Sequence, residues 1–339
     1  MTLSKPETNA LAPDAADESR RALLDAIGPA PEMTLIRPFG NYGDELIWSG
    51  TRELLRGHVY REIGIDQIAS ANGELAVISG GGAWSRRYNE MMPEALAIAE
   101  LRFERVIVLP SSFEVSEDRV RAALEKSNAT VFARERESFE QIRGLCRARL
   151  AHDCAFFADY SSYGASGEGE LNAFRVDDER LGVRAIPSDN VDISDGAESL
   201  DDWLRTIERH AVVNTDRAHV MIAAAMLGKE VRYAPSSYFK VEAIAEYALG
   251  DFNVRPIAVS DETVESASSP ASSQSTDPPS RVTIAVLSRD HGAQAVAAIE
   301  SALEEPADKR VLVLDRNSRP RTQAALREAV EQSPLINAR

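Results

Sequence analysis

Three ionisable side chains, Asp216, Arg217 and His219, follow a short apolar stretch and precede an apolar helical pattern. The pattern over 211–234 predicts an apolar strand, a polar turn, a helix and a second strand, and such a β-α-β unit implies a parallel sheet. Ligands of open parallel sheets bind beyond the carboxyl ends of the strands. An arginine and a histidine at the start of a helix would face an anion there, aided by the helix dipole. A charged turn exposed to water is the alternative interpretation.

A second candidate site follows the predicted strand 33–37, where Asn41 and Asp44 stand in a turn that contains Gly40 and Gly43. A strand, a glycine-containing turn and a helix present backbone N–H groups to an oxyanion. The turn is not a Walker phosphate loop, because no Gly-Lys-Ser/Thr closes it. A plain connection between a strand and a helix is the alternative.

Arg134 stands at a third strand end, directly after the apolar stretch 130–132 and before a helical pattern. A guanidinium in that place can clamp a phosphate or a carboxylate with two hydrogen bonds. Pairing with Glu135 or Glu137 at the surface is the alternative for this residue.

Three glycines in a row, Gly80, Gly81 and Gly82, follow the apolar strand 75–78 and precede Trp84. This is more glycine than a turn requires, and it indicates that the backbone approaches something bulky or charged. The Trp84 ring could stack on a sugar or could cover the loop, and packing is the favoured interpretation.

The composition limits the function further. The chain has 339 residues and a formal net charge of −16, which argues against a nucleic-acid surface and against an anionic membrane. Its two cysteines fit no metal spacing or disulfide framework and suit a reducing cytosol. No window approaches the roughly 18 apolar residues of a spanning helix, and the N-terminus does not resemble a signal peptide. We therefore expect a cytoplasmic protein with no metal site.

Changes in composition divide the chain into five parts. We expect a mobile arm with a short helix at 1–32, an N-terminal half at 33–150 and a C-terminal half with the Asp-Arg-x-His turn at 151–258. A disordered Ser/Pro linker at 259–280 and a partial α/β segment at 281–339 follow. Within the halves, 139–150 has helical spacing, 154–157 predicts a short strand, and 187–202 predicts a linker or flap.

Several of these junctions together resemble the polysaccharide pyruvyl transferase family over about residues 33–255. The matching motifs are Gly40-Asn41-Tyr42-Gly43-Asp44-Glu45, Ile78-Ser79-Gly80-Gly81-Gly82, Val108-Leu109-Pro110-Ser111-Ser112, Arg134-Glu135 with Ser138, and Asp216-Arg217-Ala218-His219 with Gly228-Lys229. Ala218 and Ser111 depart from the usual leucine and glutamine of the family. The final segment, 281–339, is similar to the start of a family 2 glycosyltransferase in which Asp315 would contact a nucleotide base.

The resemblance implies two Rossmann-like halves that face a cleft, as in GT-B glycosyltransferases. It also implies transfer of pyruvate from phosphoenolpyruvate to two hydroxyls of a sugar in an exopolysaccharide or its precursor, with release of phosphate. Phosphoenolpyruvate is then a co-substrate, and no cofactor or metal is required. Partners would be the sugar acceptor and glycosyltransferases of the same pathway.

The resemblance also assigns roles to residues. His219 would be the general acid, or would hold the phosphate as an imidazolium while Asp44 acts as the base. The other substrate-binding candidates are Arg217, Arg134, Lys240, Asn41, Gly81, Gly82 and Asp216. The remaining histidines, His58, His152, His210 and His291, are expected to be structural or exposed.

Two other functions remain open at this point. A nucleotide-sugar-dependent glycosyltransferase of GT-B type would need a pocket for a base and a ribose, and the first half shows no acidic residue at the spacing expected for ribose. A non-catalytic scaffold that partners a glycosyltransferase would bind anions without turnover.

Overall fold

A computed structural model describes residues 13–30, 32–85, 91–177, 186–236 and 239–257, together with the backbone of three strands between 282 and 338. The chain forms two compact units, Met1–Val259 and Ser260–Arg339. The whole of the predicted linker 259–280 and the first 12 residues of the predicted arm lie outside the described residues.

The first sheet contains seven parallel strands. They are β1 (Met33–Arg37), β2 (Tyr60–Gly64), β3 (Gly73–Ile78), β4 (Gly81–Trp84), β5 (Phe103–Phe113), β6 (Thr130–Ala133) and β7 (Arg147–Leu150). Their order is β2-β1-β3-β5-β6-β7, and β4 pairs with β5. Successive side chains of a strand point to opposite faces, so Leu35 and Ile36 of β1 enter two different cores. Both faces of this sheet are therefore buried, as parallel sheets require.

Helices cover both faces of the first sheet. They are α1 (Pro13–Ile27), α2 (Tyr42–Leu54), α3 (Met91–Arg102), α4 (Asp118–Lys126) and α5 (Arg136–Ile142), with 3-10 helices at Ile65–Ser70 and Cys154–Phe157. α1 is longer than the predicted short helix. Its residues Leu23 and Ile27 are fully buried in the same core as Leu35. The described part of the predicted arm therefore belongs to the folded unit.

The second sheet contains four parallel strands in the order β11-β10-β9-β8. The strands are β8 (Glu170–Ala173), β9 (Val212–Thr215), β10 (Glu230–Tyr233) and β11 (Val254–Pro256), and the helices are α6 (Ile193–Gly196), α7 (Leu200–Glu208), α8 (Ala218–Met226) and α9 (Lys240–Ala248). α8 is buried on most sides, because its sequence, AHVMIAAAM, is apolar throughout. The predicted β-α-β unit is thus present as β9, α8 and β10, and the α/β fold class with Rossmann-like parallel sheets is confirmed.

Two predictions of local structure after residue 138 were wrong. α5 ends at Ile142, and the rest of the supposed helix contains the edge strand β7, whose alternating burial follows the two-residue period of a strand. The predicted strand 154–157 is a 3-10 helix. It forms because the Asp153 side chain caps it and accepts a hydrogen bond from the Ala155 N–H at 2.8 Å.

The predicted linker or flap at 187–202 is in fact attached to the second sheet and contains the starts of α6 and α7. The Asn190 side-chain amide accepts a hydrogen bond from Phe174 N at 2.8 Å and donates one to Phe174 O at 3.0 Å. These two bonds take the place of a neighbouring strand just beyond the end of β8. The segment is therefore held at the carboxyl edge of the sheet.

The second unit contains a parallel three-stranded sheet. Its strands are β12 (Val282–Ser288), β13 (Lys309–Asp315) and β14 (Ile336–Ala338), in that order. The first two match the strands predicted for this segment, and the third was not predicted. In the pairing of β12 with β13, Ile284 stands opposite Val311.

Candidate functional site

A cavity of about 380 Å³ lies in the first unit at the carboxyl ends of strands from both of its sheets. The loops after β1, β6, β8 and β9 all contribute to it, as expected for a ligand site in parallel α/β sheets. Its lining residues include Phe39, Asn41, Asp44, Gly82, Arg134, Arg175, Asp177, Ser194, Arg217, His219 and Lys240. The lining thus brings together most of the residues that the sequence singles out.

Arg217 is the N-cap residue of α8, and its backbone N–H donates to Thr215 Oγ1 at 3.0 Å. Its guanidinium is almost fully buried, and one terminal nitrogen donates to the carboxylates of Asp192 and Asp177. Its Nε has no hydrogen-bond partner among the described residues. A buried N–H that has no acceptor costs free energy, so the guanidinium is held in place by its two carboxylate partners rather than by its Nε.

Arg134, Asp153 and His219 form one contact group at the inner wall of the cavity. Arg134 Nη1 donates to Asp153 Oδ2 at 2.9 Å and lies 3.2 Å from His219 Nε2. The same Asp153 oxygen is 3.5 Å from His219 Nε2. Arg134 Nε donates to Ser112 Oγ at 2.8 Å. Arg134 is therefore a buried site residue, and surface pairing with a neighbouring glutamate is wrong.

The carboxyl group of Asp153 is ionised throughout the physiological range. Burial by itself raises the pKa of this carboxyl, but a hydrogen bond with His219 and the charges of His219 and Arg134 outweigh that effect. The Ala155 N–H acts in the same direction. The pKa of Asp153 is therefore well below its usual range, and the group provides a fixed negative charge behind Arg134 and His219.

Asn41 and Asp44 form a capping box at the start of α2. Asn41 Oδ1 accepts from Gly43 N at 2.9 Å, and Asp44 Oδ2 accepts from Asn41 N at 3.0 Å. Gly43 lies against His219, since a Cβ atom on it would come within 2.8 Å of His219 Nδ1. The local fold of α2 thus fixes the Asp44 carboxylate and leaves room for the imidazole.

Arg175 and Asp177, which the sequence did not single out, add a further ion pair to the cavity. Arg175 donates two hydrogen bonds to the Asp177 carboxylate, at 2.7 and 3.1 Å. The Arg175 backbone N–H donates to Asp216 Oδ1 at 2.8 Å. Burial raises the pKa of Asp216, while this bond and two nearby arginines lower it in part.

The predicted site residues separate into two groups. Seven of them line the cavity, namely Asn41, Asp44, Gly82, Arg134, Arg217, His219 and Lys240. Asp216 does not line it, because its carboxylate is turned inward to hold the Arg175 backbone. Gly81 lies behind Gly82 with φ +136, a conformation that favours glycine, and its Cβ position is 3.6 Å from Asp44 Oδ1.

Trp84 and two of the histidines are structural. The Trp84 ring is 1% exposed and packs on Phe113 with ring centroids 5.2 Å apart, so the packing interpretation is confirmed. His152 is buried between Tyr247 and Phe156. His210 Nδ1 lies 2.8 Å from the Thr206 carbonyl oxygen.

Asp153 is the most informative residue that the sequence reasoning missed. It follows β7, and β7 was mistaken for part of a helix, so Asp153 was not recognised as standing at a strand end. The signal that could have revealed it is the two-residue alternation of Arg147 to Leu150 before His152-Asp153.

The described part of the chain contains no group of three or more His, Cys, Asp or Glu side chains placed to hold a metal ion. Within the same residues, no helix combines the length and apolarity needed to cross a membrane.

Comparison with known proteins agrees with this geometry. The model of the family described as "Polysaccharide pyruvyl transferase" matches residues 41–236, which include the capping box, Arg134, Asp153 and the Asp-Arg-x-His turn. The chain belongs to the polysaccharide pyruvyl transferase family. The resemblance suggested by the sequence motifs is therefore confirmed. Among curated proteins, none matches this chain.

Solved structures also match this family member. One of them is a functionally uncharacterised protein from Klebsiella pneumoniae subsp. pneumoniae NTUH-K2044, with 25% sequence identity and a TM-score of 0.58. The similarity covers 72% of this chain and 99% of the other. It supports the Rossmann-like α/β architecture and gives no information on substrate.

Proposed function

We propose that this protein transfers pyruvate from phosphoenolpyruvate to a sugar of an exopolysaccharide or its precursor, forms a cyclic ketal and releases phosphate. The observation that carries the proposal is the charge of the cavity. Four arginine and lysine side chains line it against two carboxylates, although the whole chain carries a net charge of −16, and the carboxylates of Asp153 and Asp192 that pair with Arg134 and Arg217 stand outside the lining. The surface that a ligand would meet therefore carries more cations than carboxylates, which suits a small ligand with several negative charges. Phosphoenolpyruvate, with one carboxylate and one phosphate, is such a ligand.

We place the donor at the inner wall, where Arg134, Arg217 and Lys240 would bind its two anionic groups. Arg217 supports this placement because its side chain lines the cavity and is held there by Asp177 and Asp192. Guanidinium groups suit both phosphate and carboxylate because their parallel N–H groups match two oxygens at once.

The reaction balances without a cofactor. The methylene carbon of phosphoenolpyruvate takes one proton, and a sugar oxygen bonds to the neighbouring carbon as its own proton leaves. A second sugar oxygen then displaces phosphate and closes the ketal ring. Of the two hydroxyl protons lost, one is balanced by the new methyl group and one leaves with phosphate. His219 would supply the proton to carbon, and Asp44 would accept a proton from a hydroxyl.

The acceptor sugar would occupy the outer part of the cavity. Phe39 lines it yet is 67% exposed, so its ring offers an open apolar face at the mouth. Sugar rings carry apolar C–H faces that can stack on an aromatic ring, while their hydroxyls bind carboxylates such as Asp44. The stacking role considered for Trp84 is better suited to Phe39.

We also propose the finer features of this assignment. The two parallel sheets with a cavity at their carboxyl edges support a GT-B-like arrangement of two halves. A cytoplasmic location would give the enzyme access to phosphoenolpyruvate and to a sugar precursor under assembly. Glycosyltransferases of the same pathway are then its natural partners.

The proposal is tested by phosphate release from phosphoenolpyruvate with a panel of sugar acceptors. We expect release that depends on the acceptor in the unaltered protein and is lost in His219→Ala and Arg217→Ala. His210→Ala serves as the matched control, because His210 lies outside the cavity and should be replaceable without loss. Acceptor-dependent release that survives both site variants would contradict the assignment of the site.

The competing glycosyltransferase function makes a different prediction. A nucleotide sugar would bind to the unaltered protein in calorimetry, and phosphoenolpyruvate would not. That result, joined to no phosphate release with any acceptor, would replace the pyruvyl transferase proposal. Binding of phosphoenolpyruvate without turnover would instead favour a scaffold.

A further inference from the structure

Asp153 connects side chains that come from the two different sheets of the first unit. It lies between β7 of the first sheet and β8 of the second. Its carboxylate contacts Arg134, which follows β6, and His219, which belongs to α8, at 2.9 and 3.5 Å. Its other oxygen accepts from the Ala155 N–H at 2.8 Å. Asp153 is itself only 1% exposed, so water does not weaken these contacts.

The contact between Arg134 and His219 restricts the protons of the imidazole. Arg134 Nη1 lies 3.2 Å from His219 Nε2 and can only donate. A neutral ring that accepts this bond carries its proton on Nδ1. When the ring takes its second proton, Nε2–H comes to lie beside a guanidinium, and two like charges repel at that distance. Asp153 is the group placed to offset the repulsion, because its carboxylate touches both cations.

We propose that Asp153 is a positioning residue that allows His219 to hold a second proton next to Arg134. In the charged ring Nε2–H points to Asp153, and Nδ1–H, which lies beside Gly43 of the cavity lining, is the proton available to a substrate. The identity of the substrate rests on the proposed function, whereas the protonation of His219 does not.

Other charged groups also face His219. They are Arg134 and Asp153 on the inner side, and Asp44, Arg175, Asp177, Arg217 and Lys240 around the cavity. The variants in the test therefore change only Arg134 and Asp153 and leave the five groups around the cavity unchanged.

The test is nuclear magnetic resonance of the His219 ring nitrogens across pH, with the signal assigned by its absence in His219→Gln. In Asp153→Asn we expect the ring to take its second proton at a pH about one unit or more lower than in the unaltered protein. In Arg134→Gln/Asp153→Asn both neighbouring charges are absent. The pH at which His219 takes its second proton should then lie between that of Asp153→Asn and that of the unaltered protein. Asp159→Asn is the matched control, since this exposed carboxylate lies in the same segment and contacts the Ser161 N–H.

Two outcomes would overturn the inference. One is protonation of His219 at the same pH in Asp153→Asn and in the unaltered protein. The other is the same pH in the single and the double variant, because the repulsion from Arg134 would then have no effect. If Asp153→Asn fails to fold, Arg134→Gln and the double variant provide the comparison. His219 must then take its second proton at a lower pH in the double variant, which lacks the Asp153 carboxylate, than in Arg134→Gln, which keeps it.

Kinetics give a second readout. We expect the alkaline limb of the kcat profile, where His219 loses the proton that it donates, to move to lower pH in Asp153→Asn, together with a lower maximal rate. A merely structural role would lower activity equally at every pH. The nuclear magnetic resonance result needs no turnover, so failure of phosphoenolpyruvate as a substrate would leave this inference standing.

Discussion

At the residue scale, the contact between Gly43 and His219 fixes how closely α2 approaches the site. A Cβ atom at position 43 would lie 2.8 Å from His219 Nδ1 and 3.1 Å from Asn41 Oδ1, closer than unbonded atoms tolerate. Because the far atoms belong to side chains, the imidazole rather than the helix would move. The absence of a side chain at this position therefore leaves room for the His219 ring.

We expect Gly43→Ala to lower kcat by about tenfold or more, since a displaced His219, the proposed general acid, would lose its alignment. Stability should change little, because alanine favours a helix more than glycine does. Steady-state kinetics and thermal unfolding of the same preparation check both statements. Full activity in Gly43→Ala would show that the position of the His219 ring does not matter.

Phe39 provides a prediction on the acceptor. Phe39→Ala should raise the KM for the sugar on the order of tenfold, which corresponds to about 1.4 kcal/mol of lost apolar contact, and leave the KM for phosphoenolpyruvate unchanged. Phe39→Tyr should keep the stacking face. Val59→Ala is the control, because Val59 is 82% exposed and lies outside the cavity. An equal rise in both KM values would contradict an acceptor-specific role.

At the element scale, α2 is clamped between the site and the 3-10 helix Cys154–Phe157. A Cβ atom on Gly50 would come within 1.8 Å of the Cys154 carbonyl oxygen, which is backbone and cannot turn aside. This packing orients the segment that carries Asp153. It thereby connects the capping box at one end of α2 to the contact group of Arg134 and His219.

We therefore expect Gly50→Ala to destabilise the protein by about 1–3 kcal/mol, measured by urea unfolding. Gly144→Ala is the matched control, because a Cβ atom there meets nothing within 4 Å. Equal stability of the two variants would mean that the α2 contact can relax freely.

The elements also show what the sequence could and could not predict. The unit β9-α8-β10 was predictable because its apolar runs are uninterrupted and its polar residues cluster at one turn. β7 was not predictable, because its four residues alternate between arginine and an apolar residue, and so short a run also fits the apolar spacing of the helix before it. Asp153, Arg175 and Asp177 follow short strands. Their contacts at the cavity depend on the packing of two sheets against each other, which the sequence pattern does not show.

At the scale of the whole molecule, His152 connects α1, α9 and the segment of Asp153. Ser19 Oγ lies 2.7 Å from His152 Nδ1 and accepts from the His152 backbone N–H at 3.1 Å. The ring and the backbone of His152 thus both contact the same hydroxyl of α1. The His152 ring also stacks on Tyr247, with centroids 5.0 Å apart. Burial lowers the pKa of His152, against a smaller opposing effect of Asp153.

This shift predicts how stability depends on pH. Above about pH 6.5 the ring is neutral in both the folded and unfolded states, so it contributes no pH dependence. As the pH falls from 6.5 towards the lower pKa of the folded state, the unfolded chain binds the proton more strongly and stability is lost. The loss is about 1.4 kcal/mol for each unit of difference between the two pKa values.

Urea unfolding at pH 7.5 and 5.5 measures the effect of His152. We expect the unaltered protein to lose more stability between these values than His152→Gln, which carries no group that titrates there. An equal loss in both proteins would show that other groups cause the pH dependence.

The most direct test of the central claim is detection of the product. Phosphoenolpyruvate labelled at its methylene carbon would be incubated with the protein and a sugar acceptor, and the label would be followed by nuclear magnetic resonance. We expect the label to appear as a ketal methyl group on the sugar with the unaltered protein and not with Arg217→Ala. If no acceptor in a broad panel gains the methyl signal while a nucleotide sugar is consumed, the cavity is not a pyruvyl transfer site.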